Sequence, residues 1–231
     1  MQVQRTHSSG VVVDPKPPVI TVVVVAGGDP PSLADLNDVP ANAIVVGADR
    51  GVAYARELGL KVAVAVGDFD SIPADALDAA AAAGASIRRY PAEKDATDLE
   101  LALDAALEFQ PRRVVLLGAY GGRPDHELAN LLLVAAPRYA RLNIQARHAG
   151  ATCTVIHRSA ELHGAVGELV SLLPVHGPAM GVETAGLRYQ LRGEALEPGS
   201  SRGVSNEFAE PQAQVRLRSG VLLAIQPHSP K

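Results

Sequence analysis

Four short runs of apolar, mostly β-branched residues, broken only by Thr21, constrain this chain more than any other feature. They lie at residues 19–25 (VITVVVV), 43–46 (AIVV), 62–66 (VAVAV) and 114–117 (VVLL), with weaker ones at 86–89 and 143–146. A strand with one wet face alternates apolar and polar side chains. A strand that is apolar at every position has to be covered on both sides. Segments with helical spacing fall between the runs, at residues 31–37, 52–58, 74–83, 98–109 and 125–136. This order predicts a doubly wound, mostly parallel sheet with helices on both faces. Thr97-Asp98-Leu99-Glu100 reads as a capping box, with Leu99, Leu103 and Leu107 as the buried stripe behind it. Pro73 stands near a helix start, where its missing N–H does no harm.

After about residue 150 the texture changes. Strand-like runs at 168–173, 186–191, 214–217 and 221–225 are separated by Gly, Pro, Ser and Asn, with no helix of convincing length. These predict a C-terminal antiparallel, β-sandwich-like domain. The chain is therefore expected to divide into a loose extension at 1–18, an α/β domain at 19–148 and a β domain at 149–231.

Composition narrows the function. A net charge of −4 gives no basic footprint for nucleic acid, and aromatic content of 3 % without Trp leaves few stacking platforms. The start lacks a signal peptide's charged end and apolar core, and the run Val22–Val25 is far too short to span a bilayer. One cysteine, Cys153, fits a reducing compartment. The expectation is a cytoplasmic globular protein with no nucleic-acid or membrane partner.

In an open parallel sheet, ligands bind outside the carboxyl ends of the strands. The unusual polar clusters of this chain all follow strands: Gly27-Gly28-Asp29, Asp49-Arg50-Gly51, Gly67-Asp68-Phe69-Asp70-Ser71, Lys94-Asp95-Ala96-Thr97-Asp98 and Gly118 through His126. Singly, each aspartate reads as a turn former or helix cap. Asp29, beside two prolines, is expected to be only a turn residue, and His126 reads as structural. Together, Asp49, Asp68, Asp70, Asp95, Asp98 and Asp125 would crowd one rim with negative charge. A hard cation such as Mg²⁺ relieves such crowding through oxygen ligands. Lys94, Arg123 and the glycine-rich loop 118–122 suit phosphate, which points to a metal–polyphosphate site. Neither GxxxxGK[ST] nor GxGxxG occurs.

The motifs Gly67-Asp68-Phe69-Asp70-Ser71, Lys94-Asp95-Ala96-Thr97-Asp98-Leu99-Glu100 and Gly121-Gly122-Arg123-Pro124-Asp125-His126 with Asn130 resemble those of the thiamine pyrophosphokinase family. Stretches at 170–174, 186–191 and 203–207 are similar to that family's C-terminal domain. The resemblance spans about residues 20 to 226. It implies a homodimer that transfers a diphosphoryl group from ATP to the hydroxyl of thiamine, giving thiamine diphosphate and AMP. It further implies Asp68, Asp70 and Asp98 as the Mg²⁺-binding and catalytic carboxylates. Asp49, Lys94, Thr97, Arg123, Asp125 and His126 would face ATP, while Ser205 and Asn206 would contact thiamine across the dimer interface. Two features depart from the family pattern. Arg50 stands where the family often has glycine, and no Trp is present to stack on thiamine; Phe208 is a candidate ring, with a core role as its alternative. Two other readings remain at this stage: a diphosphokinase for another alcohol such as hydroxymethyl-dihydropterin, and a non-catalytic nucleotide or thiamine sensor.

Overall fold

The computed structural model describes residues 19–228 other than 122 and 149. The extension expected at 1–18, and Gly122 of the glycine-rich loop, lie outside the described residues. Six strands pair in parallel in the order β4-β3-β2-β1-β5-β6: β1 (Thr21–Val25), β2 (Ile44–Ala48), β3 (Val62–Gly67), β4 (Ser86–Arg89), β5 (Arg113–Leu117) and β6 (Asn143–His148). Four helices connect them: α1 (Gly51–Glu57), α2 (Ala74–Ala82), α3 (Asp98–Leu107) and α4 (Pro124–Val134).

The valine run of β1 explains why the sheet is covered twice. Val22 and Val24 join Leu99 and Leu103 of α3 in one core cluster. Val23 and Val25 join Val52 and Ala55 of α1 and Leu77 of α2 in another, on the opposite face. All four valines are fully buried. The chain runs outward from β1 through β2, β3 and β4, then crosses to the other side of β1 to form β5. The β1–β5 boundary is therefore the switch point at which an open α/β sheet offers a crevice.

Two local expectations change in the α/β part of the structure. Residues 31–37 make only a single 3₁₀ turn, Leu33–Leu36, with Leu33 exposed. Too few apolar side chains face the sheet there to offset helix nucleation. At α3 only half of the capping box forms. Thr97 Oγ1 accepts from the Glu100 N–H at 3.2 Å, but the Glu100 carboxylate turns outward to Arg138.

The C-terminal strands are β7 (Ala151–Ile156), β8 (Ser159–His163), β9 (Leu169–Ala185), β10 (Arg192–Leu196), β11 (Asn206–Glu207), β12 (Gln212–Arg216) and β13 (Ser219–Pro227). They pair antiparallel in the order β7-β13-β9-β12-β8, and β6 pairs antiparallel with β7, so hydrogen bonding continues across the expected boundary at 148/149. Strand alternation then serves two cores. Cys153, Val155, Val221 and Leu223 face the α3 side, whereas Ile156, Leu222 and Ala224 face a third cluster with Leu172, Leu196 and Phe208. The run at 186–191, expected as a strand, is a bend with one isolated bridge, Leu187 to Phe208. Leu187 and Leu191 are still buried, but the amide of Asn206 takes the hydrogen bonds of the Tyr189 backbone that a strand neighbour would have taken.

Cys153 is fully buried in β7, and burial pushes its thiol up to about 12. Its thiolate fraction at pH 8 is then about 10⁻⁴, against about a quarter for an ordinary cysteine. Iodoacetamide should leave the native protein unlabelled at pH 8 and label it once urea unfolds it. Stoichiometric labelling of the folded chain within minutes would contradict this placement.

Candidate active site

The loop after β3 shows how a buried strand delivers two carboxylates to one place. Phe69 adopts a left-handed backbone (φ +62°) and buries its ring in the α1/α2 cluster, with the Arg89 guanidinium 5.2 Å from the ring centroid. Anchoring the middle residue inward leaves Asp68 and Asp70 flanking it outside the core. Asp49, at the end of β2, is also left-handed (φ +46°), and its N–H donates to the Val66 carbonyl of β3 at 2.8 Å. Non-glycine residues rarely adopt this conformation, and it costs about 1 kcal/mol or more at each position.

One carboxylate oxygen from each of Asp49, Asp68 and Asp70 lies within 4.8 Å of the other two. Each such pair repels by roughly 3–4 kcal/mol at an effective dielectric of about 20, less where water screens exposed Asp70. The protein offsets part of this. Ser71 Oγ donates to Asp49 Oδ2, and the Asp70 N–H donates to Asp68 Oδ1 at 3.2 Å. Lys94 Nζ stands 3.8 Å from Asp68 and 3.1 Å from Asp98. Asp49 Oδ1 stays buried without a hydrogen-bond partner among the described residues. An all-oxygen donor set with one orphaned buried carboxylate oxygen fits a hard divalent cation such as Mg²⁺. Asp98 stands at the first position of α3, joined to the trio through Lys94. Burial, reinforced by the charges of Asp49 and Asp68, holds its carboxyl above the usual range against the pull of Lys94.

A cleft of about 560 Å³ opens beside this cluster at the β1–β5 switch point. Its floor is backbone. The turn after β1 and the loop after β5 are joined by Ala26 N–H to Leu117 O, Gly28 N–H to Gly118 O and Asp29 N–H to Tyr120 O, at 2.7–2.8 Å. A Cβ on Gly28 would stand 2.3 Å from the Tyr120 carbonyl oxygen, so only glycine permits this approach. Asp49, Lys94, Thr97, Asp98, Arg123 and His126 all line the cleft. Asn130 Nδ2 donates to Ala119 O at 2.8 Å, tying α4 to the β5 loop. Arg123 reaches Asp125 at 2.6 Å and holds its carboxyl low, while Asp125 itself is exposed and outside the lining, as is Asp95.

Ser205 and Asn206 lie elsewhere in the chain, in a second cavity of about 320 Å³ in the β domain that shares no lining residue with the cleft. Asn206 is buried. Its Oδ1 accepts from the N–H groups of Tyr189 and Glu207, and its Nδ2 donates to Tyr189 O, all within 3.0 Å. Phe208 is 1 % exposed and packed in the core, so it offers no ring to a ligand. Tyr189, 58 % exposed, is the aromatic ring on the second cavity's wall. Sequence reasoning missed three residues. Tyr189 was hidden in a presumed strand, Arg50 lines the cleft, and Asp29 does so too with His148 Nε2 3.4 Å from its carboxylate.

A doubly wound sheet whose carboxyl rim combines clustered aspartates, a lysine and an arginine around a glycine-floored switch-point cleft defines an α/β transferase of the phosphate-handling class. Comparison with known proteins narrows the class. Residues 38–146 match the family model described as thiamin pyrophosphokinase, catalytic domain, and residues 153–222 match thiamin pyrophosphokinase, vitamin B1 binding domain. The thiamine pyrophosphokinase of Bacillus subtilis is 30 % identical over 218 residues, covering 89 % of this chain and 98 % of that protein. Among solved structures, the Bacillus subtilis enzyme superposes with a TM-score of 0.78 at 26 % identity, over 91 % of this chain and all of that one. That of Geobacillus thermodenitrificans gives 0.77 at 31 % identity, over 91 % and 98 %. The chain belongs to the thiamine pyrophosphokinase family.

Proposed function

We propose that the protein transfers a diphosphoryl group from ATP to the hydroxyl of thiamine, releasing AMP. The observation that carries this reading is the carboxylate trio Asp49, Asp68 and Asp70, set beside Lys94 and Asp98 at the edge of a cleft of about 560 Å³. Asp68 and Asp70, with Asp49 joining them, would hold Mg²⁺, and Asp98 would complete the acidic set. When bound, the ion neutralises charge on the phosphate oxygens and raises the electrophilicity of phosphorus. The thiamine hydroxyl oxygen attacks the β-phosphorus and gives its proton to a carboxylate of the acidic set, the bond to the α–β bridging oxygen breaks, and that oxygen leaves with AMP. Lys94 and Arg123 supply positive charge where the bridging oxygens gain negative charge. Lys94 also holds Asp68 and Asp98 in place, and the Thr97 cap fixes the start of α3 that presents Asp98. His126 and Arg123 would face ATP from the cleft lining, with Asp125 paired to Arg123 at its outer side.

Ser205 and Asn206 enter this reading through a homodimer. Their cavity shares no wall with the cleft of the same chain, so thiamine bound there would meet ATP held by a second copy. Asn206 then shapes the cavity by bracing the 189–207 contact, and the ring of Tyr189 offers the stacking face. Among the described residues no helix is long and apolar enough to cross a membrane; with a single buried thiol, we place the enzyme in the cytoplasm.

A product assay tests the reaction. Purified protein with ATP and Mg²⁺ should form AMP and thiamine diphosphate when thiamine is added, and no AMP with hydroxymethyl-dihydropterin. AMP formed only with the pterin would overturn the acceptor, and none with either would leave a sensor.

A further inference from the structure

Arg50 follows Asp49 directly and starts the turn into α1, with its Cβ next to the β1 turn: a Cβ built on Gly27 would stand 3.2 Å from it. It lines the cleft with Lys94 and Arg123. The other two cations are engaged, Lys94 by Asp68 and Asp98 and Arg123 by Asp125. The Arg50 guanidinium has neither a hydrogen bond nor an ion pair with any described residue, although Asp29, Asp49 and Asp98 line the same cleft. An arginine beside carboxylates that pairs with none of them keeps all five donors for a ligand, and its planar fork matches the oxygens of a phosphate group.

Position decides which phosphate. Asp68 and Asp70, on the β3 loop, are not among the residues lining the cleft, whereas Arg50 lines it beside Gly27 of the β1 turn. Gly27, Gly28, Gly118 and Gly121 line that cleft, and at Gly28 and Gly118 the missing side chain is what lets the β1 and β5 turns pack together as its floor. Asp49 belongs both to the carboxylate trio and to the cleft lining, so a phosphate on the adjacent Arg50 lies between that trio and a nucleoside held in the cleft. Resting on the diphosphoryl-transfer reading above, we infer that Arg50 binds the α-phosphate of ATP, the one that leaves as AMP. It holds the leaving group while Lys94 and the acidic cluster handle the transferred pair, and it makes AMP a product that binds through its own phosphate.

Calorimetry in magnesium buffer tests this without turnover. R50Q should weaken AMP and ATP binding by about tenfold or more, the loss of one charge-assisted phosphate contact. Adenosine and inorganic pyrophosphate should bind R50Q as they bind the parent, and R50K should recover part of the AMP affinity. Unchanged AMP affinity in R50Q would overturn the assignment. So would an equal loss for adenosine, since Arg50 would then merely shape the cleft. If the parent protein binds neither AMP nor ATP, the diphosphoryl-transfer reading itself fails, an outcome visible before any variant is made.

Discussion

Asp68→Asn should lower kcat by about a thousandfold or more while leaving the folded protein at least as heat-stable as the parent. The exchange keeps shape and size but removes one of three charges gathered within 4.8 Å. Each pair it dissolves relieves roughly 3 kcal/mol of repulsion before solvent screening, at an effective dielectric of about 20. It also weakens the pull on Lys94, which retains Asp98 at 3.1 Å, so no buried cation is left unpaired. Activity and stability should therefore move in opposite directions, which a merely structural aspartate would not produce. Asp70→Asn should behave alike. Asp125→Asn should have a much smaller effect, because that carboxylate is exposed, lies outside the cleft lining and is paired with Arg123. Steady-state rates across a Mg²⁺ titration, with thermal melts in its absence, check all three. An Asp68→Asn enzyme at full rate would remove the acidic cluster from the chemistry.

The second large effect concerns folding. Gly51 opens α1 against β1, and a Cβ there would lie 1.9 Å from the Val25 carbonyl oxygen and 2.5 Å from its carbon. Neither atom can swing aside, since both belong to the backbone of the central strand. Gly51→Ala must push α1 off the sheet and open the contacts of Val52 and Ala55 with Val23 and Val25. The expected loss is about 3 kcal/mol or more, at the upper end for overpacking. Gly84→Ala is the control: its Cβ meets open space, and only the positive φ of 94° is strained, for about 1 kcal/mol. Urea melts of both variants decide the point. Equal midpoints would show that α1 is free to slide.

Loops at strand ends were readable as the site because their polar residues broke apolar runs that left no other reason for charge. Pairing among those residues was not readable. Asp49 meets Asp68 and Asp70 only because β2 and β3 are neighbours and both loops adopt left-handed turns, for which neither Asp nor Phe gives a dependable signal. Asp95 and Asp125, equally placed in the text of the sequence, end exposed, outside both the carboxylate trio and the cleft lining. Tyr189 escaped notice because the alternation of Leu187, Tyr189 and Leu191 is that of a strand, whereas the buried Asn206 amide holds the segment in a bend.

Local chemistry by itself settled the parallel, twice-covered sheet, since valines with no polar face between them have nowhere else to go. It also settled that negative charge would collect at one edge of that sheet. Only the tertiary structure decided which carboxylates share a cation-sized space, which of the two cleft arginines stays unpaired, and where the second cavity lies. Those outcomes depend on strand order and on backbone angles in a few loop residues, which residue types constrain weakly and packing constrains strongly.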